Sequence, residues 1–323
     1  MRNKLLLLFC AVAILLAGCS KDDDPPKSDN PSSGKPLMYV VKYIYDEDTD
    51  VEIEQAVAID LSTGTETLFF DNIRTSEGVG YINSTNEIAY VDSEDNALIK
   101  IKRDTKSKAA LQLEQETATE YIGYEQFITV GQKLYIVKYR VDINTYTNIE
   151  QIVAVDVSTG IETVFLDNIS ISENVGYVSS TNEIVYVDYA EDKLVKVKLD
   201  TKSTTTFQLE KGTTSSYIRY DKFVAVGQKL YISKYRKDMN TGKGVDQIAV
   251  IDINTGVESI FLDGLNVGEG IGYISSTNEI VYIDDKANKV VKVKVDTKNI
   301  TAFQLEQETG TKYISYDEFV IAE

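Results

Sequence analysis

Tyr81-Ile-Asn-Ser-Thr-Asn-Glu-Ile-Ala-Tyr-Val-Asp92 returns as Tyr177-Val-Ser-Ser-Thr-Asn-Glu-Ile-Val-Tyr-Val-Asp188, and again as Tyr273-Ile-Ser-Ser-Thr-Asn-Glu-Ile-Val-Tyr-Ile-Asp284, each time 96 residues further on. Working outward from this stretch, residues 36–323 are filled by three copies of one 96-residue unit with nothing left over. Self-similarity at a fixed period is the signature of a repeat architecture. Each copy divides into two related halves of the size of a four-stranded propeller blade, roughly 40–50 residues. Every apolar run is short, rich in Val, Ile and Tyr, and bounded by turn residues such as Ser158-Thr-Gly160 or Thr201-Lys-Ser203. That is strand and hairpin grammar. The sequence predicts an all-β fold, a six-bladed β-propeller made of three tandem two-blade repeats.

The chain ends point the same way. Tyr121-Ile-Gly-Tyr-Glu-Gln-Phe127 and Tyr217-Ile-Arg-Tyr-Asp-Lys-Phe223 each lead into a Gly-Gln-Lys-Leu-Tyr strand, whereas Tyr313-Ile-Ser-Tyr-Asp-Glu-Phe319 stops at Glu323 without one. Pro36-Leu-Met-Tyr-Val-Val-Lys42 opens the repeat region with no inner strand before it. An unpaired strand edge is sticky, and ring closure removes it. The C-terminal strand is therefore expected to complete the first blade.

Arg2 and Lys4 precede an apolar run, Leu5 to Ala17, that is too short to span a bilayer and reads as a signal sequence. It ends Leu16-Ala-Gly-Cys19, which resembles the lipobox of bacterial lipoproteins. The resemblance implies a signal peptide over 1–18 and lipidation of Cys19. Ser20-Lys-Asp-Asp-Asp24 resembles the acidic tag that sends lipoproteins to the outer face of the outer membrane. All four prolines lie between Cys19 and the first strand, so 19–36 reads as a spacer and 37–323 as the propeller. Cys10 leaves with the signal, so the mature chain has one cysteine and no internal disulfide. The expected localisation is lipid-anchored and exposed on the cell surface, with no other membrane attachment.

The formal charge of −18 becomes −20 once Arg2 and Lys4 are removed. Such a surface repels nucleic acid and leaves room for divalent cations. Histidine is absent, which excludes Ser-His-Asp and Cys-His hydrolysis and most zinc, copper or iron sites. Carboxylates and oxygen-ligand cations remain.

Glu77, Glu173 and Glu269 recur just before the inner strands of alternate blades, and Glu125, Asp221 and Asp317 within the other three. They are either a cation or polyol site on the axis or a solvated polar lining. Lys42, Asp92, Lys138, Asp188, Lys234 and Asp284 alternate in sign on successive second strands and are expected to form ion pairs between blades. Asp46-Glu-Asp-Thr, Asp142-Ile-Asn-Thr and Asp238-Met-Asn-Thr offer oxygens at alternate positions, so Asp238 and Asn240 are candidate Ca2+ ligands or plain turn residues. Arg219 stands where the other copies have Gly123 and Ser315, the clearest break in the three-fold pattern.

Among the three copies, the loops joining first to second and third to fourth strands barely change. The loops from second to third strand and the blade connectors diverge, and in a four-stranded blade these share one side. Binding concentrates in loops carried by a rigid scaffold. Arg219, Tyr139, Tyr235 and the Asp238–Gly244 loop are the first candidates for a partner.

The apolar strands ending Asp-x-x-Thr-Gly, Val153-Ala-Val-Asp156 to Gly160 and Ala249-Val-Ile-Asp252 to Gly256, resemble those of a broad propeller class, and the whole is similar to TolB-like six-bladed lipoproteins of unassigned role. The resemblance implies fold rather than activity. Three near-identical copies supply equal groups, whereas catalysis needs differentiated ones. The sequence reading is a monomeric, non-enzymatic binding or scaffold module for a surface protein or glycan. The competing reading is a cation-dependent carbohydrate-active or lactone-hydrolysing enzyme using channel carboxylates.

Overall fold

A computed structural model describes residues 35–75 and 78–323, the side chains of Ser172, Glu173 and Glu269 excepted. The expected leader, Cys19, most of the spacer and Glu77 lie outside the described residues.

The described residues form 24 strands in six four-stranded antiparallel sheets. The first blade holds β1 (Leu37–Asp46), β2 (Val51–Asp60) and β3 (Glu66–Asp71). The second is β4 (Gly80–Ile82), β5 (Glu87–Asp92), β6 (Ala97–Lys102) and β7 (Lys108–Gln112). The third is β8 (Glu120–Val130), β9 (Lys133–Asp142), β10 (Asn148–Asp156) and β11 (Glu162–Ile169). Then come β12 (Ile171–Val178), β13 (Glu183–Asp188), β14 (Lys193–Lys198) and β15 (Thr204–Gln208). The fifth blade is β16 (Ser216–Val226), β17 (Lys229–Asp238), β18 (Gly244–Asp252) and β19 (Glu258–Leu265). The sixth is β20 (Val267–Ile274), β21 (Glu279–Asp284), β22 (Lys289–Lys294) and β23 (Ile300–Gln304). The last strand, β24 (Lys312–Ala322), pairs with β1 from Leu37↔Ala322 to Asp46↔Lys312. The expected closure is therefore present, one strand from the C-terminus joining three from the N-terminus.

Strands form because their Val, Ile and Tyr residues pack on both sides of each radial sheet. Six apolar clusters fill the six blade–blade seams. The closing seam, with Met38, Val40 and Ile59 against Ile274, Ile283 and Val290, is as buried as the others. Turns between third and fourth strands follow from Asp-x-x-Thr-Gly. Asp156 Oδ1 accepts hydrogen bonds from the Ser158 and Thr159 amides at 2.9 and 3.0 Å. Gly160 then takes φ +74°, a left-handed conformation that glycine adopts at little cost.

Backbone hydrogen bonds define two sides of the ring. Ile143 N and Met239 N, in second-to-third-strand loops, donate to Thr119 O and Ser215 O in the blade connectors. Val157 N and Ile253 N, in third-to-fourth-strand turns, donate to Gln132 O and Gln228 O in first-to-second-strand turns. The variable segments thus share a connector side and the constant ones a turn side. Residue 35 enters on the turn side, since Leu61 N donates to Pro36 O there.

The alternating Lys and Asp positions do not pair with one another, contrary to expectation. Lys138 Nζ lies 2.6 Å from Glu114 Oε2 and 2.7 Å from Glu162 Oε2, and the Tyr124 hydroxyl donates to Glu162 at 2.8 Å. Lys234 with Glu210, Glu258 and Tyr220, and Lys42 with Glu306, Glu66 and Tyr316, repeat this arrangement. Each cluster fastens a connector to the blade it leads into. Asp188 instead caps its own turn through the Ala190 and Glu191 amides, and Asp92 pairs with Arg74. A Lys and the Asp of the next blade do not meet because each lies on the strand face that packs toward the preceding blade, so the two enter different seams.

Candidate functional sites: the channel and the connector side

Six inner strands, β4, β8, β12, β16, β20 and β24, surround the axis. Pairing slips at one level in the three long ones, between Tyr124 and Phe127, between Tyr220 and Phe223, and opposite Val40 and Lys42. Each slip sets two inner-strand residues against one on the neighbour, a β-bulge, and bulges re-aim side chains. The bulged pairs are Glu125-Gln126, Asp221-Lys222 and Asp317-Glu318. In β12 and β20 the slips span residues 172–174 and 268–270, so Glu173 and Glu269 lie inside the inner strands rather than just before them. Their side chains, like Glu77, are outside the description, so the three-fold glutamate ring of the sequence reading has no described geometry.

A cavity of about 410 Å³ extends along the channel from the bulges toward the turn side. Its walls are polar and apolar in about equal parts, the apolar part built on aromatic rings. Phe127, Phe223 and Phe319 from the long strands lie over Gly80, Gly176 and Gly272, where any Cβ would come within 2.2, 2.4 and 2.8 Å of a ring carbon. The inner end is polar. Gln126, Lys222 and Glu318, the same position in the three copies, all line it, together with Asn174. Lys222 and Glu318 are 4% and 7% exposed and form an ion pair between blades five and one. Asn174, also buried, reaches the Phe223 carbonyl at 3.4 Å.

Arg219, the break that stands out in the sequence, is not among the residues lining the cavity. Its exposed guanidinium lies on the connector half of β16, 2.8 Å from Asp221 and 5.9 Å from the Tyr235 ring centre. Burial lifts the neighbouring Asp246 carboxyl above its usual range, against the pull of Arg219. The three-fold break in the channel is instead Gln126, Lys222 and Glu318. Aligning the copies at an offset of 96 would have shown it; the signal was masked because Gln, Lys and Glu all pass as surface residues inside a strand.

Tyr139 and Tyr235 stand in repeated ring pairs, Tyr121–Tyr139 at 5.7 Å and Tyr217–Tyr235 at 6.3 Å, while Tyr45–Tyr313 stack at 6.2 Å. The protein has 21 tyrosines and no tryptophan. Five tyrosines are exposed, Tyr121, Tyr146, Tyr189, Tyr217 and Tyr313, and all lie in connector-side loops or at the strand ends beside them. The turn side exposes Ile161 and Val257 instead.

Asp238 and Asn240 lie in a turn whose hydrogen bonds Asp238 itself supplies. Asp238 Oδ1 accepts from the Asn240 and Thr241 amides at 2.7 and 3.1 Å, which holds the carboxyl below its usual range. The loop is a turn closed by its own aspartate. Among the described residues no group of three or more acidic or Cys side chains is placed to hold a metal.

No family model and no curated protein sequence matches the chain. Solved structures match in fold. One from a nidogen/laminin complex is 10% identical, with a TM-score of 0.56 over 88% of this chain and 98% of that one. TolB from Acinetobacter baumannii is 13% identical, TM-score 0.54, over 88% and 67%. A putative 6-phosphogluconolactonase from Bacteroides fragilis is 11% identical, TM-score 0.52, over 91% and 100%. At these identities the likeness shows the propeller fold alone.

Proposed function

We propose that this protein is a lipid-anchored, cell-surface binding module that engages a protein partner through the connector side. The observation that carries the reading is the confinement of all five exposed tyrosines to that side. Tyrosine buries a large ring at small entropic cost and keeps a hydroxyl for hydrogen bonding, and Tyr and Arg are enriched at interface cores. Arg219 lies among these rings. Exposed Glu47, Asp48, Glu94, Asp95, Glu116 and Glu308 edge the same side, so the partner surface is basic at its rim.

The lactonase reading, suggested by the Bacteroides fragilis neighbour, would put chemistry in the channel. There Lys222 and Glu318 neutralise each other in direct contact, which suits neither a general base nor a general acid.

The test is site-specific photo-crosslinking on intact cells, with the crosslinker at Tyr146 or Tyr189 compared with Ile161 or Val257. The expected result is a discrete protein adduct from the first pair only, lost in a Tyr121→Ser/Tyr217→Ser/Arg219→Ala variant of unchanged melting temperature. A glycan adduct, or equal adducts from both sides, overturns the reading.

A further inference from the structure

The chain repeats itself three times, yet it departs from repetition where three bulges meet the channel cavity. Equivalent positions there carry an amide, a cation and a carboxylate, Gln126, Lys222 and Glu318. Ring closure does not require this, since the packing positions Ile122, Ile218 and Ile314, and Phe127, Phe223 and Phe319, are the same in all copies, and the Gly123, Arg219 and Ser315 difference lies outside the cavity. Nor is stability the explanation, because a buried ion pair commonly does no better than apolar side chains of the same volume. Glu318 lies against Gly78, where a Cβ would come within 2.4 Å of the Glu318 Cβ, and the equivalent positions are Asn174 and Gly270. Gly78, just before β4, thus leaves room for Glu318, Gly270 leaves room for the Phe319 ring, and Asn174 adds a third polar group at this end of the cavity.

We propose that the channel cavity is a binding site for a small amphiphilic molecule with an apolar body and a compact, net-neutral polar head, the head facing Gln126, Asn174, Lys222 and Glu318. The size suits it: at about 410 Å³ the cavity falls in the range of ligand pockets, roughly 300–1,000 Å³. The walls suit the body, with Phe127, Phe223 and Phe319 as ring surfaces above a further apolar stretch that includes Ile128 and Val320. The head is neutral in this proposal because, among the described residues that line it, the polar end already is. Lys222 and Glu318 balance, and a ligand with net charge would add an uncompensated buried charge. An ammonium has three donors and a carboxylate two oxygens, so the pair can meet a third group that both donates and accepts without separating. A carboxamide or a zwitterion has that character.

The experiment uses the mature chain and four probes that share a ring and differ in head: 2-phenylacetamide, L-phenylalanine, phenylacetate and 2-phenylethylamine. Binding is read by NMR line-broadening and calorimetry. The amide and the zwitterion are expected to bind at least tenfold more tightly than the anion and the cation. A Lys222→Met/Glu318→Met variant, which replaces the pair with apolar groups of similar length, should keep its melting temperature and lose that preference. If that variant fails to fold, the exchanged pair Lys222→Glu/Glu318→Lys is expected to fold and to restore the ranking. No binding by any probe, equal binding by all four, or an unchanged preference in the Met variant overturns the proposal.

Discussion

Lys42 Nζ lies 2.5 Å from Glu306 Oε2, an ion pair between residues 264 apart in the chain that joins the opening strand to the last blade connector. Its second bond, 2.5 Å to Glu66, and the Tyr316 hydroxyl on Glu66 bring β1, β3 and β24 together at one point. Burial alone would lower the Lys42 pKa, but the hydrogen bonds to Glu306 and Glu66 outweigh it and hold the ammonium above its ordinary value. This stabilisation is complete below 10.5 and is lost as pH rises through the raised folded value.

Lys42→Met should therefore cost about 3 kcal/mol, the lower end of the range for breaking a buried pair because water reaches Glu306. Differential scanning calorimetry should show a melting temperature several degrees lower, and limited proteolysis should cut first within β24. Lys138→Met should cost a similar amount without exposing β24, since its cluster lies in a blade made of consecutive strands. Equal cleavage of β24 in both variants would remove the special role of the Lys42 cluster in closure.

Deleting Tyr313–Glu323 removes Ile314 and Tyr316 from the closing seam and leaves β1 as an open apolar edge. Each lost apolar side chain is worth about 1.5–3 kcal/mol. Phe319 and Ile321 pack on the same seam, so the sum rivals the whole stability of a domain, about 5–15 kcal/mol. The truncated chain should aggregate, and a monomeric product melting like the parent would contradict the closed ring.

Period, turn grammar and the missing inner strand made the architecture legible down to the identity of the closing strand. What the sequence hid is pairing across the third dimension. Lys138 and Asp188 look like a ring of alternating charge, but Lys138 finds Glu114 and Glu162, one in a connector and one on an outer strand, because its chain is long enough to cross its own sheet. Arg219 stood out because it replaces glycine and serine. Lys222, three residues on, matters more to the channel because a bulge turns it inward, and bulges leave little trace in a pattern of alternating residues.

The proposed anchor makes a separate prediction. Cys19→Ala should release the protein from membranes into the soluble fraction, since among the described residues no helix is long and apolar enough to cross a bilayer. Replacing Asp22, Asp23 and Asp24 with Ala should keep lipidation and abolish protease accessibility on intact cells. Retention of the Cys19→Ala protein in membranes after a high-salt wash would place the attachment elsewhere in the chain.

The stability of the propeller should be nearly flat across neutral pH and fall at both extremes, each for a stated group. On the acid side, hydrogen bonds from the Ser158 hydroxyl and amide and from Thr159 hold Asp156 down to about 2, from an ordinary 3.8. Its contribution is present above 3.8 and is lost as pH falls toward 2. Asp60 and Asp252, which cap the equivalent turns, are lowered in the same direction by their Ser62 and Asn254 amides. On the alkaline side, burial and then Asp92, Asp188 and Asp284 push Tyr90, Tyr186 and Tyr282 up to about 12, from 10.0. The folded state holds these protons longer than the unfolded one, so their contribution is complete below pH 10 and is lost as pH rises toward 12. Ultraviolet titration should thus show a class of tyrosines silent at pH 11 that ionises only on unfolding. Tyr124, Tyr220 and Tyr316, lifted by burial and by their bonded glutamates, belong to that class. Tyr186→Phe should shrink the silent class by one residue and soften the alkaline fall in melting temperature, with the acid limb unchanged. A titration in which all 21 tyrosines ionise together near 10 while the protein stays folded would contradict the burial of these tyrosines beside aspartates.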